Sequence, residues 1–279
     1  MKGGVGKTTL AVNIAYGLAF FHKKKVLLVD SDPQFNATQS LLKDKIYLAH
    51  LNDPNKGTLR DIFLPRRPGP VNAVTGTSRS ANKGKIGLSA CTIPIYNPGP
   101  GRGKLDLLPS ALHLIEIDTS RRGTERKLGS YLKERATDYD YVIIDCPPTI
   151  SVFTMAAIIA SDKYLVPIKP DPLSVVGLPL LERWLEEFTD EQGIQGEVKS
   201  VGLVFTSVRG PTPSAMADVM ADLRAKRKDE VFSDFLSQAT DVASSVLSRQ
   251  PVFLHKPSSK TARQIQAITK EFLERTSGD

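Results

Sequence analysis

A doubly wound α/β fold with a mostly parallel sheet flanked by helices is predicted by three features of the 279-residue sequence. Short, largely apolar runs alternate with stretches of helical periodicity, the pattern of parallel strands joined by helices. Each run ends in polar or turn-forming residues, as strands do on the side of such a sheet that takes ligands. A glycine-rich segment, Gly3-Gly4-Val5-Gly6-Lys7-Thr8-Thr9, opens directly into the first helical pattern. Glycine backbones bend sharply and turn N–H groups onto an anion, and the free amides of the helix that follows add their positive dipole end. In that cradle Lys7 faces the β- and γ-phosphates and the Thr8 hydroxyl is a ligand for Mg²⁺.

The elements follow in order. Leu10, Ile14, Leu18 and Phe21 recur at helical spacing with Ala11, Ala15 and Ala19 between them, and Lys23-Lys24-Lys25 closes the helix. Val26-Leu27-Leu28-Val29 is a buried strand ending at Asp30. Leu105-Asp106-Leu107-Leu108 ends at Pro109-Ser110, and Tyr141-Val142-Ile143-Ile144 ends at Asp145. The strands around 163–168 and 201–205 end at Lys169-Pro170 and Thr206. Helical patterns lie between most of them, and the chain reads as a single domain over 1–279.

Composition narrows the class. Hydrophobic residues are 41% and charged residues 24%, ordinary values for a globular protein. No apolar run is long enough to span a bilayer. Two cysteines, Cys91 and Cys146, give no disulfide or zinc framework and fit a reducing, cytoplasmic compartment. The net charge is +7, and residues 54–104 hold nine Lys and Arg against one acid, Asp61. That stretch is rich in Pro and Gly and reads as a basic loop or insertion.

The opening motif departs from the ordinary phosphate loop. Met1 stands where a glycine is usual, and a second lysine, Lys2, opens the loop. K-G-G-x-G-K-T-T resembles the deviant Walker A box of the ParA/MinD family of ATPases. Two further motifs match in order. Asp30-Ser31-Asp32-Pro33-Gln34 is similar to the family's D-x-D-P-Q element, and Ile143-Ile144-Asp145-Cys146-Pro147-Pro148 to its Walker B and switch II element. The likeness runs on through Leu165-Val166-Pro167-Ile168-Lys169-Pro170-Asp171 and is thin between about 51 and 103. In the family a buried strand comes just before the loop, and nothing precedes Met1 in this sequence. The resemblance therefore implies a sheet lacking that strand.

The resemblance also implies roles. Lys2 reaches across a dimer interface to the partner's nucleotide, Lys7 serves phosphoryl transfer, and Asp32 positions the attacking water. Asp30 supports the metal shell, Asp145 holds Mg²⁺, and Pro147 and Thr206 lie beside the nucleotide, Thr206 near the base. No Asn-Lys-x-Asp guanine signature is present, so ATP is the expected nucleotide. The implied function is a slow, ATP-dependent dimerising ATPase that binds DNA nonspecifically, is stimulated by a ParB-like partner, and acts in plasmid or chromosome partition or cargo positioning. It would be cytoplasmic, and nucleoid-associated when ATP-bound. Arg209, Arg224, Lys226, Arg227 and Lys228 are the candidate DNA contacts, with Lys256, Lys260 and Arg263 a second cluster; a solvated face balanced by neighbouring acids reads equally well. Two alternatives stand beside this. A MinD-like membrane ATPase would use the apolar stripe Ile265-Ile268-Phe272-Leu273, although Glu271, Glu274 and Asp279 disfavour an anionic membrane, so no stable membrane association is expected. A nucleotide-binding regulator with little hydrolysis is the other.

Overall fold

The computed structural model describes residues 4–64, 86–112, 114, 117, 123–210 and 214–278. Met1, Lys2, Gly3 and the heart of the basic segment lie outside them.

The helix α1 (Lys7–His22) leads into strand β1 (Lys25–Asp30). Helices α2 (Asn36–Leu41) and α3 (Asp44–Asn52) follow, then the short helices α4 (Leu59–Phe63) and α5 (Leu88–Cys91). Strands β2 (Ile93–Tyr96) and β3 (Lys104–Leu108) precede α6 (Lys127–Arg135), β4 (Tyr141–Asp145) and α7 (Val152–Ile159). The last third holds β5 (Lys163–Ile168), α8 (Pro172–Glu191), β6 (Lys199–Phe205) and α9 (Ser214–Lys226). It closes with α10 (Thr240–Ser248), α11 (Val252–His255) and α12 (Lys260–Thr276).

Among the described residues the strands form a four-stranded sheet in the order β2-β3-β1-β4 and a two-stranded sheet, β5-β6. All pairings are parallel except β2 with β3. β1 is flanked on both sides and is buried from Val26 to Asp30. β4 and β5 each end their sheet, and most of their residues are half-exposed. The expected doubly wound sheet is thus present in two pieces, divided between β4 and β5. The two pieces share one core, because Ile143 of β4 and Leu165 of β5 pack on the same cluster as Val204 of β6.

Alternation along β1 explains its unbroken apolar run. Val26 and Leu28 join the cluster that contains Leu10, Ile14 and Leu18 of α1. Leu27 and Val29 join the opposite cluster with Leu59, Phe63, Leu128 and Phe153. A third cluster packs Val166, Leu203 and Phe205 beneath α8 and α9.

Two stretches singled out in the sequence take a definite form here. The segment 54–104 is more than a basic loop. Its described parts form α4, α5 and the antiparallel edge strand β2, and Leu59, Phe63, Leu88 and Cys91 are buried. A capping box between Thr58 and Asp61 starts α4. The C-terminal stripe that suits a membrane surface is spent on the core: Ile265, Ile268 and Phe272 are buried in the cluster that also holds α1 residues. Each such side chain contributes about 1.5–3 kcal/mol by leaving water. No helix among the described residues is long and apolar enough to cross a membrane.

Arg275 ties α12 to the second sheet by donating to the carbonyls of Val201, Asp229, Glu230 and Val231, with its charge met by Glu271. Gly202 makes this close approach possible. It sits at φ 130°, and a Cβ there would meet the Glu230 carbonyl oxygen at 2.2 Å. Gly202→Ala should cost about 2 kcal/mol or more and lower the thermal midpoint by roughly 4–8 °C, read by calorimetry.

Candidate functional site

The parallel register of β1 and β4 pairs Asp30 with Asp145. Both aspartates therefore stand side by side at the carboxyl ends of adjacent strands, where the Ser31 amide donates to the Asp145 carbonyl at 2.9 Å. The phosphate loop meets this edge. Gly4 and Gly6 both adopt φ 79°, a left-handed conformation that a side chain would strain, and Gly6 is the N-cap of α1 without any side-chain cap. The first amides of a 16-residue helix are thus left to an external acceptor.

Thr206 braces the loop from the other sheet. Its hydroxyl donates to the Val5 carbonyl at 2.6 Å, its amide donates to the Ile168 carbonyl, and the residue is wholly buried. The family resemblance implies that Thr206 lies near the base; its hydroxyl is tied to the phosphate loop at Val5, just past the end of β6.

The two aspartates differ in their surroundings. Asp30 Oδ2 accepts from both the amide and the hydroxyl of Thr38 at 2.7 Å, and Oδ1 accepts from the Asp32 amide at 3.3 Å. Asp145 has both carboxylate oxygens buried and, among the described residues, without a hydrogen-bond partner. A buried, unpaired carboxylate is costly unless a proton or cation joins it. Burial pushes the Asp145 carboxyl up to about 7, the nearby Asp30 charge adds to this, and Thr8 and Lys7 pull it partly back. Burial also raises Asp30 to about 6 against the pull of its Thr38 hydrogen bonds.

The residues present fit a hard divalent cation. Asp145 supplies an orphaned oxygen pair, and Thr8 is the hydroxyl beside it. No cluster of three His, Cys, Asp or Glu among the described residues could hold a metal alone. A cation here would draw its remaining ligands from water and phosphate, as Mg²⁺ commonly does.

Asp32 is buried on the loop after β1, and its Oδ1 accepts from the Gln34 amide at 2.9 Å. Lys7, Thr8 and Thr9 form the first turn of α1, and Pro147 is buried in the loop after β4. The described part of the cradle, Gly4, Val5, Gly6, Lys7 and Thr8, is thus brought together with Asp30, Asp32 and Asp145. Sequence reasoning passed over Thr38 and Ser110. Ser110 follows the β3 run and carried the signal of a strand-terminal hydroxyl; Thr38, eight residues beyond Asp30, carried none.

The basic candidates separate. Arg227 is bound to Glu182 of α8 by both its terminal guanidinium nitrogens and also to Glu230. Arg224 lies half-buried over the Phe205 ring and donates to the Ser233 carbonyl. Lys226 pairs with Asp222 on the exposed side of α9, Lys228 is exposed, and Arg209 is exposed with its Nε on Gln238. Arg224 and Arg227 therefore serve packing, and Arg209, Lys226 and Lys228 remain at the surface.

A family model described as an AAA domain matches residues 1–198. The chromosome partitioning protein ParA of Myxococcus xanthus (strain DK1622) is 27% identical over 280 residues, covering 98% of this chain and 86% of that protein. A putative plasmid partition protein from Borrelia burgdorferi B31, solved bound to AMPPNP, superposes with a TM-score of 0.71 at 22% identity, covering 98% of this chain and 95% of that one. Cobyrinic acid a,c-diamide synthase from Mycobacterium smegmatis, solved with an ATP analog and magnesium, gives 0.69 at 23% identity over 99% of this chain and 93% of that one.

Raised folded-state values mean that Asp30 and Asp145 hold protons more tightly folded than unfolded. Their contribution to stability is complete below about pH 4 and is lost as pH rises through about 6 to 7. The metal- and nucleotide-free protein should therefore melt at lower temperature at pH 8 than at pH 5.5. Asp145→Asn should regain on the order of 2–3 kcal/mol at pH 8 and flatten this profile, measured by calorimetry in chelator.

Proposed function

This chain belongs to the ParA/MinD-type P-loop ATPases, and from that membership we propose that it is an ATP-hydrolysing switch of the partition type. The observation that carries the reading is the orphaned Asp145 carboxylate beside Thr8, under a left-handed glycine loop that opens a helix. A nucleotide's phosphates satisfy the free amides of residues 4–9, and Lys7 meets their charge. Mg²⁺, held by Thr8 and Asp145, would neutralise charge on the phosphates. Asp32, fixed on its own loop, orients the attacking water in line with the γ-phosphate. Pro147 supports the neighbouring loop, and Asp30 holds the shell behind Asp145.

The finer parts of the proposal come from the family. ATP closes a homodimer, Lys2 acts across the interface, the dimer binds DNA nonspecifically, and hydrolysis stimulated by a ParB-like partner releases it. The partition proteins among the relatives support this. Arg209, Lys226 and Lys228 are exposed cations that can meet DNA phosphates, as are Lys256, Lys260 and Arg263 of the second cluster. Contacts of this kind release counterions and weaken as salt rises.

Phosphate release in Mg-ATP, with and without DNA, tests the enzyme reading. Lys7→Ala and Asp32→Ala should each fall at least 100-fold below wild type in kcat; equal background rates in wild type and Asp32→Ala would remove the assignment. For DNA, a mobility-shift series should show binding that needs ATP and declines steeply between 50 and about 200 mM salt. The joint replacement of Arg209, Lys226 and Lys228 by Ala should weaken that binding about tenfold or more while leaving ATP affinity unchanged.

A further inference from the structure

Two buried hydroxyls join the tip of β3 to the loop that carries Asp32. The Thr38 hydroxyl donates to Asp30 Oδ2 at 2.7 Å and accepts from the Ser110 amide at 3.2 Å. An ionised carboxylate can only accept, so the Thr38 proton points to Asp30 and its lone pair faces Ser110. The Ser110 hydroxyl then donates to the Asp32 carbonyl at 2.7 Å. That same carbonyl accepts from the Phe35 amide at 2.8 Å. Ser110 is itself fixed by the Tyr47 hydroxyl, which donates to its carbonyl at 2.7 Å. Asp30, Thr38 and Ser110 are at most 1% exposed and Asp32 is 5% exposed.

The consequence falls on Asp32. Its carbonyl is held by two donors, and its Oδ1 by the Gln34 amide, while Oδ2 has no hydrogen-bond partner among the described residues. One carboxylate oxygen is thus left for a ligand on a backbone that cannot shift without breaking buried hydrogen bonds. Each such break leaves a buried polar group unsatisfied. The tips of β1 and β3 are adjacent because Val29 pairs with Leu108, so the bridge spans one strand spacing.

We propose that Ser110 and Thr38 are positioning residues for hydrolysis, holding the 30–38 segment so that Asp32 presents Oδ2 to the attacking water. This rests on the reading of Asp32 given above. A displacement of about 1 Å in a catalytic group can cost on the order of 100-fold in rate, without loss of ligand binding.

The full chain with Thr38→Val, Thr38→Ser and Ser110→Ala tests this by phosphate release and ADP affinity together. Thr38→Val keeps the side-chain shape but removes the hydroxyl. It should lower kcat about 10- to 100-fold with ADP affinity within about threefold of wild type. Thr38→Ser restores the hydroxyl and should return kcat to within about threefold, and Ser110→Ala should follow Thr38→Val. Wild-type turnover in Thr38→Val, failure of Thr38→Ser to rescue, or ADP affinity falling in step with kcat would each overturn the proposal. Hydrogen exchange supplies a readout independent of turnover: residues 31–37 should exchange faster in Thr38→Val and Ser110→Ala than in wild type, and unchanged exchange there overturns the proposal. If wild type and Asp32→Ala release phosphate equally slowly, the reading of Asp32 fails, and the exchange result alone decides whether Ser110 and Thr38 hold the segment.

Discussion

The register of β1 between β3 and β4 is the constraint from which the site follows. Parallel pairing places Asp30 against Asp145 and Val29 against Leu108. Three loops then leave the sheet at one edge, carrying Asp32, Ser110 and Pro147. A slip of one residue would send Leu27 and Val29 to the α1 side and exchange the two cores. The burial of alternate residues in two separate clusters is what holds the register against such a slip.

The site is assembled from both pieces of the sheet. The four-stranded piece supplies the aspartates. The two-stranded piece supplies Thr206, which braces the phosphate loop through the Val5 carbonyl. The helix α1 packs on β1 and is joined to α11 through Asn13, whose Oδ1 accepts from the Val252 amide. The buried core contact of α12 with α1 completes the platform, with Gly17 allowing Thr269 to approach closely. Loop geometry and helix packing are therefore coupled.

Electrostatically, the site is built to be incomplete. Two carboxyls are brought together away from water, and one of them has no hydrogen-bond donor among the described residues. The cost of that arrangement is met by Thr38 at Asp30, and at Asp145 in part by the nearby Thr8 hydroxyl and the Lys7 charge. Strain of this kind, concentrated at one carboxylate, belongs to a group that meets a ligand. The apolar clusters on both faces supply the stability that tolerates it.

The sequence by itself determined the family, the strand ends and the identity of the phosphate loop, Asp30, Asp32 and Asp145. These are legible because they are local: glycine spacing, a helix start and a strand-terminal carboxylate all lie within a few residues of one another. It also carried the five largely apolar runs, the pattern left by strands of a parallel sheet covered by helices. Only the tertiary structure decided the rest. It formed an edge strand and core helices from the described parts of the basic segment around 54–104, buried the stripe of α12 against α1, and tied Arg227 to Glu182. It also placed Thr206 beneath the loop and joined Thr38 to Ser110, 72 residues apart. Each of these depends on which distant element arrives beside a side chain, and composition or periodicity along one segment holds no record of that neighbour.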